Sequence, residues 1–178
     1  MKIDTIILLS GIGFSILLVG DLLQLLKRPR GAFPIVIIGY IVILLSLFFL
    51  VVGAGTPAVS PFGIGVAALA STPAVFLLWR SLFAEVKSSG SSSGTRRVTS
   101  TGTYSICRHP GFLWLTWLLV ILVLVYRTPT VAMGVAWITA LNLALVKIED
   151  AFIFPRIFSD YEDYKRRVAF LLPCRKGS

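Results

Sequence analysis

Residues 32–53 read AFPIVIIGYIVILLSLFFLVVG, and this stretch carries no charged side chain. An α-helix of about 20 apolar residues crosses the hydrocarbon core of a bilayer, which is about 30 Å thick. The rest of the chain has the same character, because 56% of its 178 residues are hydrophobic and only 14% are charged. Soluble domains of this length do not have that composition. We therefore expect an all-α integral membrane protein.

Other apolar runs of similar length predict further membrane spans, which brings the expected number of transmembrane helices to five. These runs lie near residues 4–26, 61–79, 111–126 and 129–147. Only a few residues separate the last two runs, so they are expected to form a hairpin over 111–147. The chain then divides into a three-helix part (1–80), a flexible Ser/Gly-rich loop (81–95) and a C-terminal part (96–178).

Cationic residues concentrate in the segment 80–110 and in the tail after the last apolar run. The turn near residues 53–61 carries no charge. The positive-inside rule therefore places the 80–110 segment and the C-terminus in the cytoplasm and the N-terminus outside. This asymmetry explains the net charge of +9, and it also favours contact with anionic membrane lipids. Nucleic-acid binding is not expected, because no basic stripe is interleaved with aromatic residues.

The cysteines, Cys107 and Cys174, both fall on the cytoplasmic side of this topology. Thiols stay reduced in that compartment, and two cysteines so far apart match no zinc-site spacing. We expect neither a disulfide nor a structural metal.

The tripeptide Arg108-His109-Pro110 lies just before the fourth apolar run and contains the single histidine of the chain. Ionisable groups at the mouth of a membrane span lose hydration, which is costly unless they bind something. A simpler interpretation stays open at this point. Arg108 could be a positive-inside anchor, and Pro110 could mark the start of a helix, where a missing N–H costs nothing.

Other polar residues have a structural interpretation. Asp21 and Gln24 lie near the cytoplasmic end of the first run and can reach lipid headgroups, so no function is assigned to them. Phe158, Tyr161 and Val168 recur at helical spacing among charged residues, which predicts an amphipathic interfacial helix. Tyr161 and Tyr164 are then expected to be packing aromatics of that helix rather than ligands.

The C-terminal half carries an ordered set of motifs. They are Val98-Thr99-Ser100-Thr101-Gly102-Thr103-Tyr104, Arg108-His109-Pro110-Gly111-Phe112, Glu149-Asp150, and Phe158-Ser159-Asp160-Tyr161-Glu162-Asp163-Tyr164-Lys165-Arg166-Arg167-Val168 followed by Leu172-Pro173. In this order they resemble the superfamily of isoprenylcysteine carboxyl methyltransferases and phospholipid methyltransferases. The resemblance covers residues 96–173, and the first three apolar runs match only in being membrane helices.

The resemblance implies a cytoplasm-facing pocket for S-adenosylmethionine and a lipophilic or prenylated acceptor that enters from the bilayer. By position, the residues implied to line the cofactor site are Arg96, Arg97, Val98, Thr99, Tyr104, His109, Pro110, Gly111, Phe112, Glu149 and Asp150. The residues implied to act in catalysis are Arg108, His109 and Glu149. Lys147 or Arg156 could hold an anionic headgroup or an acceptor carboxylate.

The chemistry of S-adenosylmethionine suits these residue types. Arginine and histidine can bind its carboxylate, a carboxylate such as Glu149 can bind its amino group or ribose, and Tyr104 can face its sulfonium or adenine. The chain departs from the family pattern at three positions: Phe112 replaces a tyrosine, Asp150 replaces the second glutamate, and Ser159 replaces a glycine. Counting back from Phe158 leaves the register of the acidic pair open by one residue.

Several acceptors and one other class of protein remain open. A carboxylate acceptor needs little acid or base help, so positioning and exclusion of water would supply most of the rate. An aminophospholipid must first lose a proton to Glu149, Asp150 or His109, and a thiol is a further alternative. Membrane sterol reductases, which use a reduced nicotinamide cofactor, share part of the C-terminal pattern. A non-enzymatic scaffold or transport subunit is the contrasting class, although transporters usually place polar groups near the bilayer midplane.

Overall fold

The computed structural model of the protein describes residues 3–26, 29–84 and 97–171. Within those ranges every regular element is helical, as predicted. The α-helices are α1 (Ile3–Leu25), α2 (Pro29–Gly53), α3 (Pro61–Trp79), α4 (Pro110–Tyr126), α5 (Pro129–Ile148), α6 (Phe154–Ile157) and α7 (Tyr161–Arg167). Short π-helical turns follow α3 (Arg80–Ala84) and α5 (Glu149–Ile153), and a 3₁₀ turn spans Gly102–Ser105.

Proline marks the first residue of α3, α4 and α5. The side chain of Ser60 accepts a hydrogen bond from the Gly63 N–H at 3.2 Å, and Thr128 accepts one from the Val131 N–H at 3.3 Å. These contacts satisfy backbone donors that a helix start leaves unpaired. His109 precedes α4 but makes no such capping bond, which leaves its imidazole free to take part in other contacts.

Four helical stretches are long and apolar enough to cross a membrane. They are Ile3–Leu25, Gly31–Gly53, Pro61–Leu82 and Pro129–Ile157, of which the last includes the π-helical turn. The fourth predicted span, Pro110–Tyr126, is apolar but has only 17 residues, or about 25 Å of helix at 1.5 Å per residue. The helices support a membrane protein with four such stretches, and a span at Pro110–Tyr126 stays a prediction.

The interior of the bundle lies where α1 packs against α2 and α5. Gly13 and Gly20 of α1 lie close to Ile43 and Val36 of α2, respectively, so the two helices run antiparallel. Their buried side chains continue into α4 and α5 and form one apolar cluster. Its buried members are Ile6, Phe14, Leu17, Ile43, Leu50, Leu119, Val131, Val135, Ile138 and Leu145. In contrast, α3 packs mainly against α4, where the indole N–H of Trp117 donates to the Ala70 carbonyl at 3.2 Å.

Replacing Gly13 by alanine is expected to destabilise the α1–α2 contact by about 1–3 kcal/mol, which is the usual cost of overpacking a close interface. A Cβ at Gly13 would lie 2.7 Å from Ile43 Cγ1 and 3.3 Å from the Gly39 carbonyl oxygen. Gly11→Ala is the matched control on the same helix, because a Cβ there meets no described atom within 4 Å. The midpoint of thermal unfolding in detergent should fall for Gly13→Ala only. Equal midpoints for the two variants would contradict this account of the contact.

The C-terminal segment differs in detail from the single amphipathic helix that the sequence predicts. Two short helices, α6 and α7, replace it, because Phe158 adopts an extended conformation and ends α6. Phe158 therefore lies outside the helix that carries Tyr161. The predicted flexible loop overlaps the π-helical turn at residues 81–84, and its remaining residues, 85–95, lie outside the described part of the chain, as do Leu172, Pro173 and Cys174.

Candidate functional site

The predicted site residues come from two segments that the fold brings together. Arg108 and His109 end the segment that precedes α4, and Glu149 and Asp150 begin the π-helical turn after α5. Because α4 and α5 form the predicted hairpin, both pairs lie at the same end of the bundle. We call Arg108, His109, Glu149, Asp150 and Tyr161 the polar cluster.

Arg108 and Asp150 form a buried ion pair. Nε of Arg108 lies 2.8 Å from Oδ1 of Asp150, and Nη2 donates to Oδ2 at 3.1 Å. The two side chains are 9% and 11% exposed, so solvent screens the attraction only weakly. Nη1 of Arg108 also donates to the carbonyls of Lys165 and Val168, at 3.0 and 3.3 Å. Arg108 thus fastens the end of α7 to the π-helical turn.

His109 lies between the two acidic residues and is only 6% exposed. Its Nδ1 is 3.6 Å from Glu149 Oε2, and its Nε2 is 3.6 Å from Asp150 Oδ1. The ring stacks on Phe154 and meets the edge of Phe170. Burial lowers the pKa of His109, although the neighbouring Asp150 carboxylate opposes that shift. The folded protein therefore favours the neutral imidazole at neutral pH.

Glu149 has a neighbour, Asp21, that the sequence did not place in the site. Its carboxyl group lies within hydrogen-bonding distance of the Asp21 carboxyl of α1, and α1 packs against the π-helical turn. Gln24 donates to Asp21 at 3.5 Å, and Tyr40 of α2 is close enough to interact electrostatically with both carboxyl groups. An ionisable residue inside an apolar helix was the available signal, since such residues usually face a protein interior.

Tyr161 and Tyr164 are buried rather than interfacial, and their hydroxyl groups make hydrogen bonds at this end of the bundle. Both side chains are 2% exposed. Tyr161 donates its hydroxyl to Asp150 Oδ1 at 2.7 Å, and Tyr164 donates to the Tyr104 carbonyl at 2.7 Å. Burial is the largest cause that raises the pKa of each phenol above its usual value, so both hydroxyl groups remain protonated donors.

Hydrogen bonds attach the segment before Arg108 to the residues around α7 and to the turn after α3. The Val98 N–H donates to Asp160 Oδ1 at 2.9 Å, and the Tyr104 hydroxyl donates to the Ser81 carbonyl at 3.1 Å. Thr99 is half-buried and Arg97 is exposed, whereas Arg96 lies outside the described residues. The Arg108 N–H completes the attachment by donating to the Ala169 carbonyl at 2.9 Å.

Other predicted site residues lie beside the cluster or away from it. Pro110 is buried at the start of α4 and Phe112 is half-buried, while Gly111 faces Leu82 and Ser81 of the π-helical turn after α3. Lys147 is exposed, and the exposed Arg156 donates to the Phe152 carbonyl of its own helical stretch. The structure therefore does not bring the two predicted acceptor-binding cations, Lys147 and Arg156, into the cluster.

A groove of about 700 Å³ lies elsewhere, between Ile7, Gly11, Ser15 and Val19 of α1 and Ile35 and Ile38 of α2. Helical periodicity places it on the opposite side of α1 from Asp21, so it is not the pocket that the resemblance implies. That pocket stays a prediction at the polar cluster.

Among the described residues, no group of histidine, cysteine and acidic side chains could hold a metal ion. Cys107 is a buried free thiol, and burial raises its pKa.

Comparison with known proteins adds no assignment. No family model, no curated protein and no solved structure matches the chain.

Proposed function

We propose that the protein is an integral membrane methyltransferase that transfers a methyl group from S-adenosylmethionine to a lipophilic acceptor. The observation that carries the proposal is the convergence of Arg108 and His109 with Glu149 and Asp150. The sequence resemblance implies His109, Glu149 and Asp150 for the cofactor site and Arg108 for catalysis, and the two pairs flank a helical hairpin in the sequence. A charged cluster this well buried in a membrane protein is costly unless it has a function.

The cluster contains a buried polar atom that is available to hydrogen-bond such a cofactor. Nε2 of His109 is buried and makes no hydrogen bond among the described residues, whereas buried polar atoms normally have a partner. S-adenosylmethionine offers both hydrogen-bond donors and acceptors, and when bound it supplies an electrophilic methyl group on a sulfonium. Val98, Thr99 and Tyr104 lie in the segment that folds over the same end of the bundle.

Each residue of the cluster then has a separate role. Arg108 is a positioning residue, because its guanidinium is engaged by Asp150 and by two backbone carbonyls. His109, held neutral by burial, is placed to contact the ligand, and the rings of Phe154 and Phe170 shield it from water. Glu149 interacts with Asp21 of α1, and a lipophilic acceptor would reach the site from the bilayer. Positioning and exclusion of water supply most of the rate in such a site.

The same arrangement supports the predicted topology. The polar cluster lies at the end of the bundle where α1 ends, and the cationic residues of α7 lie at that end as well. The positive-inside rule places this end in the cytoplasm. The N-terminus of α1 then lies outside, and α4 crosses the membrane between α3 and α5, which gives five spans.

Binding of S-adenosylhomocysteine tests the proposal. Calorimetric titration of the detergent-solubilised protein should give a micromolar dissociation constant, and His109→Ala should abolish the binding because it removes a buried contact group. Arg127→Ala is the control, since Arg127 lies in the turn at the opposite end of α4. Unfolding midpoints of both variants show whether the fold is kept. Absence of heat from the unaltered protein would instead favour a non-enzymatic membrane protein.

A further inference from the structure

The helix α3 is attached to the bundle mainly through one other helix. It packs against α4, and Ala74 is the one residue of α3 that is fully buried. Pro73 lies next to it, inside the helix. A proline cannot donate to the carbonyl four residues earlier, and helices commonly bend at such a position. The helix α3 therefore combines few buried contacts with a bending point beside the most buried of them.

Two tryptophans of α4 lie on the side that meets α3. The indole N–H of Trp117 donates to the Ala70 carbonyl of α3 at 3.2 Å. A Cβ at Gly111 would lie 3.9 Å from Cδ1 of Leu78, which is also in α3. Trp114 is three residues from both Gly111 and Trp117, so helical periodicity places it between them on the same side of α4. Trp114 therefore faces α3.

The indole nitrogen of Trp114 is a buried donor without an acceptor among the described residues. An indole nitrogen can only donate, so the group that would satisfy it is an oxygen acceptor. Buried polar atoms normally have a partner, and the hydrocarbon region of a bilayer holds no water that could act as one. A ligand can supply the acceptor oxygen at this position.

The level of Trp114 in the bilayer narrows the choice of ligand. Trp114 is four residues after Pro110, the first residue of α4, or about 6 Å along the helix axis. Helical side chains lean toward the N-terminus, so the indole lies closer to the level of Pro110 than its own Cα does. Tryptophan is enriched at the boundary between headgroups and acyl chains. The oxygen acceptors that a glycerolipid carries at this boundary are the carbonyls of its acyl esters.

We propose that the α3–α4 interface binds a membrane glycerolipid, whose acyl ester carbonyl accepts a hydrogen bond from the Trp114 indole. Because the indole nitrogen is buried, α3 must bend away at Pro73 before the lipid can reach it, and the bond from Trp117 to Ala70 holds α3 in the closed position. An uncharged donor at this level suits a carbonyl better than a phosphate, which would lose its hydration. The inference requires that α4 crosses the membrane, and it does not depend on methyl transfer.

The experiment compares two lipids that differ only in the carbonyl group. The full-length protein in detergent is titrated with dioleoyl phosphatidylcholine, which has ester links, and with the diether analogue that has the same chains and headgroup. Native mass spectrometry measures the fraction of protein that retains each lipid. We expect the unaltered protein to bind the ester lipid about three- to tenfold more tightly, which is the effect of one hydrogen bond.

Trp114→Phe tests the donor itself. Phenylalanine keeps an aromatic ring but has no N–H, so this variant should bind the ester and ether lipids equally. Thr116→Val is the matched control, because the Thr116 hydroxyl is also buried and without a partner among the described residues but lies on the opposite side of α4. It should keep the preference for the ester lipid. Unfolding midpoints without added lipid show that both variants are folded.

Pro73→Ala tests the bending of α3. Alanine restores the missing N–H and favours a straight helix, so the interface should open less often and the preference for the ester lipid should fall. Pro34→Ala is the control, since Pro34 also lies inside a helix but belongs to α2. This control should leave the preference unchanged.

The remaining outcomes overturn the inference. Equal affinity of the unaltered protein for the two lipids would show that the indole binds no lipid carbonyl. A preference that persists in Trp114→Phe would place the carbonyl site elsewhere, and one that Thr116→Val also removes would show that general packing causes it. Equal results for Pro73→Ala and Pro34→Ala would remove the bending of α3 from the account. None of these measurements involves S-adenosylhomocysteine, so they fail or succeed separately from the proposed function.

Discussion

Replacement of Asp150 by alanine is expected to lower the free energy of unfolding by about 3–5 kcal/mol, because it leaves the buried Arg108 without its counter-ion. Asp150 accepts contacts from the Arg108 guanidinium and from the Tyr161 hydroxyl at 2.7 Å. The variant therefore loses the attachment of α7 to the π-helical turn. The midpoint of thermal unfolding in detergent, followed by tryptophan fluorescence, measures the loss.

A surface ion pair provides the control. Asp163 lies 3.1 Å from Arg166, but the two side chains are 71% and 77% exposed, so Asp163→Ala should cost less than about 1 kcal/mol. The double variant Arg108→Met with Asp150→Leu should regain much of the stability, because no charge is then left buried and unpaired. A similar loss in Asp150→Ala and Asp163→Ala would show that burial of the Arg108 pair does not determine its contribution.

Replacement of Glu149 by glutamine should lower kcat for methylation of an amine lipid by about 10²–10⁴-fold, the usual contribution of a general base. Glutamine keeps the shape of the side chain and can still hydrogen-bond to Asp21, so the helical contacts are preserved. It cannot accept the proton that an aminophospholipid must lose before it is methylated. The rate at saturating S-adenosylmethionine, measured by transfer of labelled methyl groups in vesicles, reports the change.

The control for this change is Glu162→Gln, since Glu162 is an exposed carboxyl group of α7 and its replacement should leave kcat unaltered. Unfolding midpoints verify that both variants are folded. An unchanged rate in Glu149→Gln would mean that the acceptor needs no base at this position, as is true of a carboxylate acceptor.

Much of the fold could be predicted from local sequence. Apolar runs predicted the helix positions, and Ser60-Pro61 and Thr128-Pro129 lie where the structure starts α3 and α5. Whether each helix is long enough to cross a membrane was harder to predict. The helix α4 has the apolar composition of a membrane span but only 17 residues. The single C-terminal amphipathic helix was predicted from periodicity alone, which does not detect the extended conformation of Phe158.

The candidate site was predictable only where its residues lie in motifs. Arg108, His109, Glu149 and Asp150 were expected together, and the structure brings them together. Asp21 was not predicted to belong to the site. Its contact with Glu149 joins helices that are far apart in the sequence, and no local pattern encodes such a contact. Lys147 and Arg156 were expected from their charge, but a charge near a helix end is often simply exposed, as both are here.

The segment that covers the polar cluster is attached largely through main-chain atoms. Arg108 donates to the carbonyls of Lys165 and Val168, Tyr164 donates to the carbonyl of Tyr104, and Asp160 accepts from the N–H of Val98. Every amino acid except proline supplies both kinds of main-chain group. Evolution can therefore vary positions 98, 104, 165 and 168 without losing these hydrogen bonds. Only the few side chains that bond to those main-chain groups are constrained. An architecture of this kind can persist through extensive divergence while retaining a very sparse sequence signature.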